Sequence, residues 1–180
     1  MPNEIDVVLD ISARLEKAAI AYMLTGSIAM NYYAEPRMTR DIDLVVALRS
    51  GDVDKVLQLF GSDYYVSREA VESSIAHQSL FNAIHQATVI KVDCIIRKQS
   101  AYRLEEFRRR QSIQLAGSPV WIVSREDLII SKLEWAKDSH SELQLRDVRN
   151  LAAGGFDRDY VKDWTERLDL ATLWKECWHD

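Results

Sequence analysis

Leu24–Leu48 reads LTGSIAMNYYAEPRMTRDIDLVVAL, and the fold turns on how this stretch is divided. An apolar run from Ala21 to Thr25 stops at Gly26; Ser27 then has the chemistry of an N-cap for a helix through about Ala34, and Pro36 ends that helix. A strand from Asp41 to Leu48 follows. In it Asp41, Asp43 and Val45 alternate with Ile42, Leu44 and Val46, so both carboxylates point to one face. Two like charges so placed need a cation between them. A divalent metal that holds a nucleotide phosphate satisfies this need with the right hard-oxygen donors. The Gly-Ser turn adds backbone N–H groups at a helix N-terminus, and Gly26 has no Cβ to keep a phosphate away from them.

Working outward, Thr88–Arg97, TVIKVDCIIR, is a second strand with a clear two-residue period. Ile90, Val92, Cys94 and Ile96 fill one face, whereas Lys91, Asp93 and Arg97 share the other. Asp93 thereby becomes a third strand carboxylate. An amphipathic helix is expected over Glu4–Ala19, with Val7, Val8, Ile11, Leu15 and Ala18 as its stripe. Between the two acidic strands the pattern predicts a helix Asp52–Phe60, a strand Tyr64–Val66, a helix Glu69–Ala76 and a strand Ser79–Ile84. A charged helix Tyr102–Arg110 comes next, then two short strands in Ser112–Val123 that turn at Gly117-Ser118-Pro119.

From Ser124 onward the character is helical. Ser124 with Asp127 forms a capping arrangement before a stripe of Leu128, Ile129, Leu133 and Ala136, and Lys132 lies within that stripe. In the following helix, Glu142–Ala152, Asp147 falls between Leu143 and Leu151, and Gly154-Gly155 ends the helix. Each helix thus sends one charge inward, of opposite sign. The pair reads both as an interhelical salt bridge and as part of a site, and the two roles are compatible. Two further helices, about Arg158–Arg167 and Leu170–Trp178, carry Trp164, Trp174 and Trp178 as large packing residues.

The 180 residues suffice for one substantial core with a small helical appendage. The expected division is a core over 1–123 and a helical subdomain over 124–180 packed on it. Hydrophobic residues at 47% and charged residues at 28% place the chain among globular proteins. A net charge of −5 weighs against a dedicated nucleic-acid binder, which needs many phosphate-neutralising Lys and Arg residues. Six basic residues against Glu105 and Glu106 between Arg97 and Arg110 read as a solvated helix face with internal ion pairs. Cys94 and Cys177 lie far apart and outside any zinc spacing. No apolar run approaches the roughly 20 residues of a bilayer span, and the acidic start lacks the pattern of a secretory signal. A cytoplasmic chain without membrane partners is the expectation.

Taken together, Gly26-Ser27, Arg37-Met-Thr39-Arg-Asp41-Ile-Asp43 and Lys91-Val-Asp93 resemble the nucleotidyltransferase superfamily built on the DNA polymerase β-like fold. Lys132-Leu-Glu-Trp-Ala-Lys before Leu145-Arg146-Asp147 further resembles its minimal bacterial group, which includes the AbiEii-type toxins. The resemblance covers most of residues 22–151 and implies an α/β (α+β) fold: a mixed sheet flanked by helices, with a C-terminal helical subdomain. It implies transfer of an NMP from an NTP to a hydroxyl of a protein, a tRNA or a small molecule, with release of pyrophosphate. The implied metal ligands are Asp41, Asp43 and Asp93, for Mg²⁺ or Mn²⁺. Lys132 and Asp147 complete the implied catalytic set, and Gly26, Ser27, Arg37 and Arg40 would contact the nucleotide. The competing expectation is a non-catalytic nucleotide-binding or antitoxin-like partner of the same fold. It would act on a toxin or antitoxin, or on a second copy of itself, through an apolar patch of Trp164, Trp174 and Trp178.

Overall fold

The structure is a computed structural model and describes residues 2–36, 38–39, 41–139 and 141–178. Its centre is a mixed seven-stranded sheet in the order β3-β4-β5-β2-β1-β7-β6. The strands are β1 (Tyr22–Thr25), β2 (Asp41–Val46), β3 (Tyr64–Tyr65), β4 (Leu80–His85), β5 (Ile90–Ile96), β6 (Gln111–Leu115) and β7 (Ser118–Ile122). β2 runs antiparallel to β1 and parallel to β5, which places both acidic strands side by side in the middle of the sheet. Central placement follows from composition. Ile42, Leu44 and Val46 of β2 and Val92, Cys94 and Ile96 of β5 are all buried on one face, as their two-residue period predicts.

Helices α1 (Glu4–Lys17), α2 (Gly26–Tyr33), α3 (Val53–Phe60), α4 (Arg68–His77) and α5 (Ala101–Arg108) alternate with the strands. α1 begins with a reciprocal cap between Asn3 and Asp6 and buries Val7, Val8, Ile11 and Leu15. The C-terminal third is α6 (Arg125–Ser139), α7 (Glu142–Ala152), α8 (Arg158–Arg167) and α9 (Ala171–Cys177). Buried side chains of the sheet and of these last helices form a single apolar cluster, with Leu24, Leu44 and Ile122 joined to Leu133, Val148 and Val161. No helix among the described residues is long and apolar enough to cross a membrane.

Two local expectations need correction. Ser27 is not the N-cap of its helix: α2 already starts at Gly26, and Thr25 holds the cap position without a side-chain hydrogen bond. Leu143 does not share the inner face of α7 with Leu151, because it is 48% exposed, while Leu145, Val148 and Leu151 are buried. Eight residues at about 100° each turn Leu143 roughly 80° away from Leu151, and that angle carries it past the edge of the stripe.

The helical segment is fastened by a buried acid. Asp127, with no exposed surface, accepts from Ser124 Oγ at 2.6 Å, Tyr160 OH at 2.8 Å and Arg109 Nε at 3.1 Å, while its own N–H donates to Ser124 Oγ. One carboxylate therefore steadies the Ser124 hydroxyl that caps α6 and ties that helix to α8 and to the end of α5. Asp127→Ala strands these donors and is expected to cost about 3 kcal/mol, the scale for breaking a buried charged contact. Urea denaturation measures it; a loss below about 1 kcal/mol, the worth of an exposed pair, would show that the tie is not structural.

Candidate functional site

Strand register builds the site. In the parallel β2–β5 pair Asp43 is directly opposite Asp93, and Asp41 is opposite Lys91. Adjacent strands lie about 4.8 Å apart, so the two aspartates meet as like charges on one sheet face. Burial, and then the charge of Asp93, push the Asp43 carboxyl above the usual carboxylate range; a backbone N–H from Ser27 and the charge of Lys132 oppose that rise. The third carboxylate, Asp41, is more exposed and faces the ammonium of Lys91, whose Nζ lies 3.6 Å from Asp41 and 3.1 Å from Asp93. The remaining Asp93 oxygen accepts a short hydrogen bond from Asn82 Nδ2, whose residue is its register partner on β4.

Gly26 acts here in a way its sequence context only half suggests. Its φ of +62° lies in the left-handed region, and a Cβ at this position would overlap the Asp43 carboxylate. Glycine thus lets the α2 N-terminus close directly over Asp43, and the Ser27 backbone N–H reaches the carboxylate. The helix N-terminus expected from the sequence to meet a phosphate holds Asp43 at its edge.

Lys132 and Asp147 are both buried and meet at 2.7 Å between α6 and α7, with Gln144 Oε1 a further acceptor 3.1 Å from the ammonium. The cost of burying two charges is several kcal/mol per ion. Each fully buried aliphatic side chain returns about 1.5–3 kcal/mol, and the stripe around the pair includes Leu128, Ile129, Ile130, Leu133, Val148 and Leu151. Apolar burial therefore holds these helices together and can tolerate the ion pair. The Lys132 charge also acts on Asp43, where it opposes the rise of the carboxyl.

The sheet face carrying Asp43 and Asp93 continues into a cleft of about 650 Å³. Val45 and Ile95, each two residues farther along, form its floor, Arg97 closes one end, and Trp135 of α6 stands on the wall. Arg103 in that wall is held by Glu106 at 2.8 Å and by Glu134, so its charge is spent within the protein. Trp135 is 59% exposed. The three tryptophans singled out from the sequence behave otherwise: Trp174 is buried, and Trp164 and Trp178 are half-buried against the core. A second, smaller cavity near Leu48, Val53 and Ile75 lies past the C-terminal end of β2.

Of the residues expected from sequence, Gly26, Ser27, Asp41, Asp43, Asp93, Lys132 and Asp147 all belong to this region, whereas Arg37 and Arg40 lie outside the described residues. Among the described residues no group of three or more His, Cys, Asp or Glu side chains is gathered closely enough to hold a metal ion by itself. The donor set nevertheless suits a hard divalent cation: carboxylate oxygens on adjacent strands, with the Lys91 ammonium already standing as a cation between two of them. Sequence reasoning missed two contributors. Lys91 was legible as a neighbour on the face of Asp93, but Asn82 requires the β4–β5 register, which no local pattern encodes.

No protein-family model and no curated protein matches the sequence. Similarity appears in solved structures. The solution structure of the antibiotic-resistance factor ANT(2'')-Ia superimposes with a TM-score of 0.60 at 18% identity, over 96% of both chains. A nucleotidyltransferase-like antigenic protein from Paracoccidioides brasiliensis gives 0.59 at 19% identity, over 95% of this chain and 91% of that one. The crystal structure of ANT(2'')-Ia in complex with adenylyl-2''-tobramycin gives 0.58 at 16% identity, over 96% and 98%. At these identities the shared property is the fold alone: the chain has the fold of these structures, one of them described as nucleotidyltransferase-like.

Gly26→Ala is expected to force Asp43 aside and to strain φ, with a loss of at least about 1–3 kcal/mol in thermal or urea unfolding; an unchanged stability would refute the close approach. Lys132→Met takes the Lys132 ammonium away from the buried Asp147 carboxylate, at an expected cost of about 3 kcal/mol, the scale for breaking a buried ion pair. The double variant Lys132→Met, Asp147→Leu recovers most of that loss in the same urea titration. No recovery would mean that the pair is not the main electrostatic contact of either residue.

Proposed function

We propose that this chain is a divalent-metal-dependent nucleotidyltransferase that moves an NMP from an NTP to a hydroxyl acceptor and releases pyrophosphate. The observation that carries this reading is the register of Asp43 with Asp93 on one sheet face, beside the α2 N-terminus. Such a pair costs stability in the free protein, since the Asp43 carboxyl is held above its ordinary range by burial and by Asp93. Residues retained at a cost to the fold are a mark of function.

Asp43 and Asp93, with Asp41, would hold the metal, which supplies charge neutralisation on the triphosphate and acidifies the attacking hydroxyl. The chain's own groups do the rest. The N–H groups at the start of α2 orient the phosphates by helix-terminal hydrogen bonds. Asp93, steadied by Asn82, accepts the proton as the acceptor oxygen bonds to the α-phosphorus. The bond from that phosphorus to the bridging oxygen breaks, and pyrophosphate leaves with its electron pair. Lys132, buried beside Asp147 and acting by its charge on Asp43, offsets charge that develops on the phosphates. Arg37 and Arg40 are assigned to the nucleotide on sequence grounds alone.

The cleft volume of about 650 Å³ falls in the usual range for small-molecule sites, roughly 300–1,000 Å³. It supports a small-molecule hydroxyl as acceptor over a protein or a tRNA. The adenylyl-2''-tobramycin bound in one structural neighbour is a precedent for that class, and the minimal toxin-like group remains the sequence-level relation suggested by Lys132 and Asp147.

The test is transfer from each α-labelled NTP, with Mg²⁺ or Mn²⁺, into a small-molecule extract and separately into protein and RNA fractions. Label is expected in the small-molecule fraction. Asp43→Asn should abolish it by more than the 10–100-fold typical of altering an outer-shell partner, while raising the melting temperature, because one member of the like-charge pair is gone. Transfer that survives Asp43→Asn, or is absent with every nucleotide and both metals, would refute the reading.

A further inference from the structure

The carboxylates of β2 and β5 already have a cation. Lys91 sits two residues before Asp93 on β5 and directly opposite Asp41 on β2, so its stem rises on the same face as both. Its Nζ is 3.1 Å from Asp93 Oδ2 and 3.6 Å from Asp41 Oδ2. The other oxygen of Asp93 is occupied by the Asn82 amide. Asp93 therefore offers an incoming cation no oxygen that lacks a partner, and Lys91 is the partner that can leave. Its side chain is 40% exposed, and an ammonium on a flexible four-carbon stem is a mobile point charge. Asn82, by contrast, has a short side chain on a backbone that the β4–β5 register places directly opposite Asp93.

We propose that Lys91 is a positioning residue that serves as the resident counter-cation of this site: it competes with a free divalent ion for Asp41 and Asp93, and it gives way when the ion arrives with a nucleotide whose phosphates offer the ammonium a new partner. This rests on the metal-dependent reading above. Two consequences follow from charge alone. A free divalent ion binds weakly, because it must displace an existing ion pair and tolerate a displaced ammonium nearby. Ion and nucleotide bind together more tightly than either alone, because the phosphates take up the ammonium that the ion releases. That mutual strengthening is reciprocal by linkage.

The experiment is Mn²⁺ binding to the full chain, followed by the electron paramagnetic resonance of free Mn²⁺, with and without a non-hydrolysable NTP analogue. The variants are Lys91→Met, Lys91→Arg, Asp43→Asn and Asp93→Asn. Lys91→Met should bind Mn²⁺ alone about tenfold tighter than wild type, the size expected for relieving partly exposed ion pairs on two carboxylates, and should lose most of the strengthening by the analogue. Lys91→Arg keeps the charge and should remain within about threefold of wild type. Lys91→Gln replaces the methionine variant if circular dichroism shows that the latter is unfolded. If the neutral variants bind Mn²⁺ no tighter than wild type while the aspartate variants bind it more weakly, the role of Lys91 is overturned and the metal site stands. If the aspartate variants bind Mn²⁺ as wild type does, the metal site itself is refuted, and the role of Lys91 with it.

Discussion

The interaction on which the rest depends is the confrontation of Asp43 with Asp93 across two parallel strands. A sheet register cannot be shifted by one residue without turning every side chain to the other face. The apolar face formed by Ile42, Leu44, Val92 and Cys94 fixes that register from behind. The like-charge pair on the front is therefore held in place by hydrophobic burial on the back, and Asp43 carries the cost in a carboxyl pushed upward by burial and by its neighbour.

Several groups reduce that cost from different sides. From β1 the chain enters α2 through Gly26, whose missing Cβ lets the Ser27 N–H approach Asp43. From the helical side Lys132 adds a positive charge, itself kept buried by Asp147 and by the apolar stripes of α6 and α7. From the strand side Lys91 and Asn82 take up Asp93. Each is a polar substitute for stronger charge compensation. These contacts offset part of the charge of the pair, and on the proposed reading a divalent ion and a phosphate chain would offset the rest. Asp127 works at a distance, since by tying α6 to α8 it fixes the helix that carries both Lys132 and Trp135 of the cleft wall.

Much of the architecture was legible from periodicity. The alternation in Thr88–Arg97 identified the buried face of β5 residue by residue, and the helix Arg158–Arg167 was delimited at both ends as observed. Even residues 63–85, where the pattern is weak, form strand, helix and strand within a residue or two of expectation. The errors have local causes. Gly26 in the left-handed region enters the helix itself, so the cap falls one residue before it, on Thr25. Leu143 lies at the margin of its stripe, where a repeat of four residues drifts from a true period of 3.6. The aspartates, the Gly-Ser turn and the Lys132–Asp147 pair could be found because each has a short-range signature. Asn82, the cleft and the exposure of Trp135 are products of strand order and helix docking and have none.

A crystal structure of the chain with Mg²⁺ and a non-hydrolysable NTP analogue bears most directly on this arrangement. It should show the ion on Asp43 and Asp93, the phosphates at the N-terminus of α2, and the Lys91 ammonium withdrawn from the carboxylates toward a phosphate oxygen. A nucleotide bound away from the α2 N-terminus, or bound there with Lys91 still between Asp41 and Asp93 and no ion on Asp43, would contradict it.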